Sequence, residues 1–117
     1  MAEDTLGDRV RRGRVASEIG VRALAADLGV SPSYISDIEN DRRVPSEEVL
    51  RALSTRLELD FDELMALAGR FGDDAERYMR RTPAVGLLFR RLHQEGYSDA
   101  KVREIISRLD DSSSEPS

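Results

Sequence analysis

The sequence contains no cysteine and no tryptophan, and His93 is its only histidine. Without cysteine there is no disulfide and no thiolate metal site, and a single histidine does not make a zinc site. His93 stands between Leu92 and Gln94, with no Ser or Asp at a spacing that would build a catalytic group with it. We therefore expect no enzymatic activity, no metal and no cofactor.

Aromatic residues make up 5% of the 117 residues, and no apolar run approaches the length of a membrane span. Hydrophobic residues reach 39%, so a core must be built from Leu, Ile, Val and Ala. Met1–Asp8 lacks the charged and then apolar character of a signal peptide, which predicts a cytoplasmic protein with no membrane association. A chain of this length accommodates one domain, or a compact domain followed by an extension.

Positive charge is also scarce, because 18 Lys and Arg stand against 23 Asp and Glu and the formal net charge is -5. The deficit lies in residues 1–69, which hold 9 Arg and 14 acidic residues, whereas residues 70–117 are balanced. This charge argues against a nucleic-acid partner, but its distribution is more informative than its sum. The run from Arg9 to Arg14 contains no acidic residue, so a basic face opposite an acidic one is compatible with the sequence.

The stretch LAADLGVSPSYISDIEN predicts two short helices joined by a tight turn. Leu24 and Leu28 share one face of the first helix. Gly29 ends this helix, because the residue after a helix C-terminus often needs the positive φ that glycine reaches without strain. Ser31 can cap the second helix, and Pro32 fits its first position, where a missing N–H is no loss.

Ile35 and Ile38 then face back toward the first helix, which leaves an outward polar face on the second. A glycine between two helices is more often an ordinary C-cap than part of a DNA-binding turn. The conjunction of apolar spacing, glycine, cap and proline instead predicts a helix-turn-helix motif. A helix that enters the major groove reads base edges with its N-terminal turns. The base-reading candidates are therefore Pro32, Ser33, Tyr34, Ser36 and Asp37.

This stretch resembles the Xre/Cro/phage-repressor family of helix-turn-helix regulators. The resemblance runs without a gap from about Leu6 to Leu67 and includes the segments SPSYISDIEN, PSEEVLRAL and DFDELMALAG. It implies an all-α fold, with a five-helix, lambda-repressor-like DNA-binding domain at residues 1–69. Beyond that domain we expect a small helical extension at residues 70–110 and a disordered tail at residues 111–117.

The resemblance also implies roles for individual residues. The family places an arginine at the position of Arg14, where it forms a largely buried ion pair with a glutamate at the position of Glu39. Family members grip phosphates with the loop after the second helix of the motif. The residues of this chain that match that use are Asn40, Arg42 and Arg43.

Three positions depart from the family pattern. Gly13 replaces a large apolar residue, which predicts that the first helix is weakly packed or bent there. Gly20 takes the place of a capping Ser or Thr, a small loss at an N-cap. Asp41 stands where the family prefers glycine, so we expect slight strain in that turn. Close to Gly20, Arg22 is well placed for a DNA phosphate, although a solvated charge is the alternative.

Two amphipathic helices are predicted in the extension, the first beginning at Thr82-Pro83 and the second at Ser98. Neither can bury its apolar face alone, so the two must pack on the first domain, on each other or on a second chain. We name these surfaces the C-terminal apolar faces. They consist of Val85, Leu88, Phe89 and Leu92 on the first helix and Val102, Ile105, Ile106 and Leu109 on the second.

Two classes of function remain. The first is a sequence-specific transcriptional regulator, most simply a homodimeric repressor that binds a palindromic operator in double-stranded DNA. The second is a protein-interaction module on the same fold, an antitoxin or adaptor whose acidic surface and C-terminal apolar faces engage another protein. The net charge and the apolar faces keep the second class open. The residues that favour the first class are Arg9, Arg11, Arg12, Arg42 and Arg43.

Overall fold

A computed structural model describes residues 4–114 of the chain. These residues form eight α-helices and no β-strand, which confirms the predicted all-α class. The helices are α1 (Leu6–Ala16), α2 (Val21–Leu28), α3 (Pro32–Glu39), α4 (Glu47–Leu57), α5 (Phe61–Leu67), α6 (Asp73–Arg81), α7 (Pro83–Gln94) and α8 (Asp99–Ser114). The chain divides into two compact units, one up to Asp74 and one from Ala75 onward.

Side-chain caps explain where α1, α3, α4 and α5 begin. Thr5 caps α1 reciprocally, because its hydroxyl accepts from the Asp8 amide at 3.1 Å and its own amide donates to the Asp8 carboxylate at 3.3 Å. The predicted cap Ser31 is confirmed, and Ser46 and Asp60 cap α4 and α5 in the same way, since each accepts a hydrogen bond from the amide three residues further on. The start of each of these helices is therefore determined by local sequence.

The core of the first unit is built from aliphatic side chains of α1 to α5. Burial of one such side chain stabilises the fold by roughly 1.5 to 3 kcal/mol relative to its exposure. Ile19, Leu28 and Leu59 are partly buried and pack against this core. The fully buried aliphatic residues are Val10, Leu24, Ile35, Ile38, Leu50, Leu53 and Leu64.

The weak packing expected at Gly13 is wrong. α1 runs unbroken through Gly13, and Gly13 is buried. A Cβ atom at this position would lie 3.0 and 3.2 Å from the two Cδ atoms of Leu59. Leu59, from the connection between α4 and α5, therefore fills the volume that a larger residue at position 13 would take.

Arg70 and Gly72, beyond the predicted end of the DNA-binding domain, contact other residues of the first unit. Gly69 ends α5 with a φ of 68°, but the next residues remain attached to the same unit. Arg70 Nε donates to the carbonyl oxygen of Pro45 at 2.8 Å, and Gly72 lies against the side chain of Met65. Arg70 and Gly72 therefore belong to the first unit.

Side chains of the second unit are half-buried or exposed, and none among residues 75–112 is buried. α7 begins at Pro83, but Thr82 makes no side-chain capping bond, since its backbone (φ -128°, ψ 80°) lies outside the usual cap conformation. Ser98 accepts from the Lys101 amide at 3.2 Å at the start of α8, as predicted.

α8 continues to Ser114, past residue 111, where the sequence predicted the beginning of a disordered tail. No glycine or proline interrupts residues 111–114, so the helix can continue. The rest of the predicted tail, residues 115–117, lies outside the described residues. Of the helices described, none has the length and apolar character that a membrane span requires.

The C-terminal apolar faces are only partly covered. Half of their residues are half-buried: Val85, Leu92, Val102 and Ile105. The other half, Leu88, Phe89, Ile106 and Leu109, are between 45% and 64% exposed. Large apolar side chains grouped in this way on a surface are typical of an interaction site.

Candidate nucleic-acid interface

The turn between α2 and α3 has the geometry that its sequence predicts. Gly29 adopts a left-handed conformation with a φ of 71°. The amides of Gly29 and Val30 donate to carbonyl oxygens in the last turn of α2 at 3.3 and 3.0 Å. The Ser31 hydroxyl then accepts from the Tyr34 amide at 3.1 Å and begins α3. The motif is therefore closed by backbone bonds at the end of one helix and a side-chain cap at the start of the next.

α3 has a buried face and an open face. Ile35 and Ile38 have no exposed surface and attach the helix to the core. On the open face Pro32 and Ser33 are exposed, and Ser36 and Asp37 are half-buried. We name Pro32, Ser33, Ser36 and Asp37 the outer face of α3.

Tyr34 does not occupy the outward position that the sequence predicted. Its ring is half-buried and packs against the hydrophobic core. Tyr34 precedes Ile38 by four residues, so the two lie on the same side of the helix. The Arg43 guanidinium carbon lies 5.0 Å from the centroid of the Tyr34 ring, within cation–π range.

The other two loop residues predicted to contact phosphate also bond within the chain. Arg42 Nη1 lies 3.8 Å from Asp37 Oδ1, and both side chains are open to solvent, so this ion pair is weak. The Asn40 side-chain amide donates to the Ser36 carbonyl oxygen at 2.9 Å, and its oxygen accepts from Arg11 at 3.1 Å. The loop after α3 is thus folded back along the helix.

Arg14 and Glu39 form a two-bond ion pair across α1 and α3. Arg14 Nε donates to Glu39 Oε2 at 2.6 Å, and Arg14 Nη2 donates to Glu39 Oε1 at 3.1 Å. The Glu39 side chain is 3% exposed and that of Arg14 is 16% exposed. The hydrogen bond to Glu39, reinforced by the carboxylate charge, raises the pKa of Arg14 above its ordinary value. Arg14 Nη1 also donates to the Ile19 carbonyl oxygen at 3.0 Å.

Arg11, on the same helix, makes a second contact with Glu39. Arg11 Nε donates to Glu39 Oε1 at 3.3 Å, while its Nη2 donates to Asn40. The sequence counted Arg11 among the charges that favour nucleic acid, but its guanidinium is engaged with the C-terminal end of α3. Arg12 forms an ion pair with Asp4. Part of the basic run in α1 therefore balances acidic residues of the same chain.

Asp41 joins the end of α3 to the beginning of α1. Its φ of 57° confirms the left-handed backbone expected at this position. Asp41 Oδ2 accepts from the Thr5 hydroxyl at 2.6 Å, and Oδ1 accepts from the Gly7 amide at 2.9 Å. A glycine would relieve the backbone strain but could make neither bond. Sequence reasoning recognised the strain and missed the two bonds.

Gly7 is a second residue that sequence reasoning missed. A Cβ atom at Gly7 would lie 2.8 Å from the Ile38 carbonyl oxygen and from the Glu39 carbonyl carbon. Only glycine permits the backbones of α1 and α3 to approach this closely. The available signal was a small residue between Leu6 and Val10, on the buried side of a helix.

The N-terminus of α2, the first helix of the motif, is the other place where the sequence predicted a phosphate contact. Gly20 is its N-cap residue and offers no side-chain acceptor to the first amides of the helix. Arg22, in the first turn, is exposed. Free amides and a cation at a helix N-terminus together favour an anion such as phosphate.

These features define a helix-turn-helix fold. Its second helix is capped by Ser31 at its start, is bonded to α1 at its end and presents a polar outer face. The chain belongs to the helix-turn-helix domain family, whose profile matches residues 5–68. This match includes α1 to α5, the predicted DNA-binding domain.

The chain is similar to the transcriptional regulator ClgR of Mycobacterium tuberculosis, with 33% identity over 84 residues, 72% of this chain and 75% of ClgR. The solution structure of the DNA-binding domain of the P22 c2 repressor is similar to it at 35% identity and a TM-score of 0.51. That similarity covers 56% of this chain and 86% of the repressor domain. A chain of the SinR protein/SinI protein complex shares the fold at 23% identity and a TM-score of 0.52, over 95% of this chain and all of its own length.

Proposed function

We propose that this chain is a transcriptional regulator that binds double-stranded DNA sequence-specifically, most simply as a homodimeric repressor on a palindromic operator. The observation that carries the proposal is the arrangement of α3. Its inner face is buried and its C-terminal end is bonded to α1, whereas its outer face is polar and open. A helix held in this way can enter the major groove without rearrangement.

The cations near α3 supply a phosphate-contacting surface in this proposal. Arg22 and the uncapped amides of α2 contact phosphate on one side of the motif, and Arg42 does so on the other once DNA competes for its weak pair with Asp37. Asn40 contributes through its side-chain amide, which exchanges its bond to the Ser36 carbonyl oxygen for one to phosphate, because its backbone amide also donates to that carbonyl oxygen. Affinity is modest because the domain as a whole is acidic.

The dimer is proposed to form through the C-terminal apolar faces. Short amphipathic helices are marginal in water when their apolar side is open. A second copy of the same faces covers them symmetrically, and a twofold dimer presents two copies of α3 to a palindrome. The similarity to ClgR extends past residue 68, so part of the extension is shared with that regulator.

Selection of bound sequences from randomised duplex DNA, followed by a salt titration on the selected site, tests the proposal. If both protomers together neutralise roughly 4 to 8 phosphates, log affinity falls against log salt with a slope of about -0.9 per contact. Arg22→Gln removes one phosphate contact from each protomer, so this slope should become shallower by the amount expected for two contacts.

Recovery of a palindrome would support the regulator class, the twofold symmetry of the dimer and its sequence specificity together. A protein that selects no sequence and binds no duplex at low salt would contradict the regulator and favour the interaction module. A protein that binds DNA with no dependence on salt would contradict the phosphate contacts alone.

A further inference from the structure

The outer face of α3 lacks the side chains that discriminate bases most strongly. Pro32 has no polar side-chain atom, and Ser33 and Ser36 offer single hydroxyls that pair with any base. Asp37 can accept from a cytosine amino group, but its charge is repelled by the phosphates on both sides of the groove. A bidentate pair from Arg to guanine is the commonest specific contact in the major groove, and α3 itself supplies none.

Arg43 comes after the helix in sequence, but its guanidinium lies over the ring of Tyr34 in α3. The Arg42 amide donates to the Asp37 carbonyl oxygen at 2.8 Å, which turns the chain back toward α3. Asp41 holds this turn through its bonds to Thr5 and Gly7. The Arg43 guanidinium carbon then lies 5.0 Å from the centroid of the Tyr34 ring, and Tyr34 is in the N-terminal half of α3.

The Tyr34 ring is a fixed support for the Arg43 guanidinium. Its packing against the core limits its rotation, and its amide is bonded to the Ser31 cap. A guanidinium stacked on a ring keeps its edge N–H groups free, because the stack uses its flat face. Those groups form the planar fork that matches O6 and N7 of guanine.

We propose that Arg43 is a specificity-determining residue that reads a guanine in the major groove from its position on Tyr34. Tyr34 is its positioning residue. This inference depends on the proposed function, and it separates Arg43 from the phosphate contacts with which sequence reasoning grouped it. Arg22, at the start of α2, has no comparable aromatic support and remains a phosphate contact.

The test compares Arg43→Ala and Arg43→Lys with the unaltered protein. Binding is measured on the selected DNA site and on a set of sites that each differ from it by one base pair. For the unaltered protein, one G·C pair in each half-site should be discriminated by roughly 5- to 100-fold. Arg43→Ala should abolish this discrimination and leave the others intact. Arg43→Lys should abolish it as well, because an ammonium keeps the charge but lacks the planar fork.

Tyr34 variants test the support. Tyr34→Phe keeps the ring face and should retain discrimination at that base pair, whereas Tyr34→Leu should lose most of it. Thermal melting of each variant distinguishes loss of base recognition from loss of folding. Because Arg43 is exposed, its variants test the inference without changing the core. Arg22→Gln is the matched control, since it should weaken binding to all sequences equally.

Two outcomes overturn the inference while leaving the proposed function in place. One is an Arg43→Ala protein that weakens all sequences equally with a shallower salt slope, while Arg43→Lys restores binding. The other is a selected site in which no single G·C pair depends on Arg43. If the unaltered protein selects no DNA, the proposed function and this inference fail together.

Discussion

Glu39 illustrates how one residue can hold α3 in place. It accepts hydrogen bonds from two arginines of α1, and its side chain is 3% exposed. A carboxylate removed from water in this way is tolerated because both of its oxygens are paired. Arg14 in turn needs Glu39, since the Arg14 side chain is also largely buried. The structural importance of this group therefore lies in what its removal leaves unpaired.

Glu39→Ala should lower the melting temperature by more than about 10 °C. Removal of one partner from a buried ion pair costs roughly 3 to 5 kcal/mol, and each kcal/mol shifts a small domain by about 4 to 8 °C. Glu58→Ala, at an exposed glutamate, is the control and should change the temperature little. Equal shifts in a thermal melt followed by circular dichroism would mean that the pair contributes no more than a surface charge.

Asp41 and Glu58 permit a second comparison, because both have a left-handed backbone, with φ values of 57° and 54°. Glu58→Gly should raise stability, since a left-handed conformation costs a non-glycine residue roughly 1 to 2 kcal/mol. Asp41→Gly gains the same relief but loses its bonds to Thr5 and Gly7, and a hydrogen bond to a charged group contributes about 1.5 to 3 kcal/mol. Asp41→Gly should therefore be no more stable than the unaltered chain. Urea unfolding of the two variants measures the difference, and a stabilised Asp41→Gly would show that the two bonds are unimportant.

At the scale of the element, the outer face of α3 should tune specificity in small steps. Asp37→Ala should increase affinity for non-specific DNA, because it removes a charge that phosphates repel, and should narrow the gap to the selected site. Ser36→Ala should cost about 1 kcal/mol or less at one base pair. Fluorescence anisotropy with selected and scrambled duplexes measures both. If Ser33, Ser36 and Asp37 could all become Ala with the selected sequence unchanged, recognition would have to come from DNA shape or from another segment.

The sequence predicted the helices of the first unit well because their ends carry local signals. Ser31, Ser46 and Asp60 act through amides three residues away, and Gly29 and Gly69 act through their own backbone. Such signals can be recognised without knowing the fold. The helix-turn-helix motif was predictable for the same reason, because all of its parts lie within one short stretch.

The features that sequence missed depend on residues that are distant along the chain. Gly7 is required by the backbone at the end of α3, and Gly13 is compensated by Leu59. Neither relation can be seen in the local pattern around a glycine. The position of Arg43 over Tyr34 likewise depends on the direction of the loop, which is set by the bonds of Asp41.

At the scale of the whole molecule, the C-terminal apolar faces should control the oligomeric state. Leu88→Asp should convert a dimer to a monomer in sedimentation equilibrium, because it places a charge in an apolar contact twice per dimer. Leu87→Asp is the matched control, since Leu87 is adjacent, 70% exposed and outside the predicted face. A Leu88→Asp protein that still sediments as a dimer would place the interface elsewhere. If the protein forms no dimer with or without Leu88→Asp, and this substitution abolishes binding to a different protein, the result would favour the interaction module.

The residues that hold α3 and the residues on its outer face are different sets. Arg14, Glu39, Asp41 and Gly7 fasten the helix, and none of them belongs to the outer face. A lineage carrying this scaffold can therefore change Pro32, Ser33, Ser36 and Asp37 with little loss of stability. Descendants of one duplicated gene could acquire separate DNA targets through a few substitutions. Tyr34 is the position where evolution is constrained twice, because its ring packs against the core and also supports Arg43.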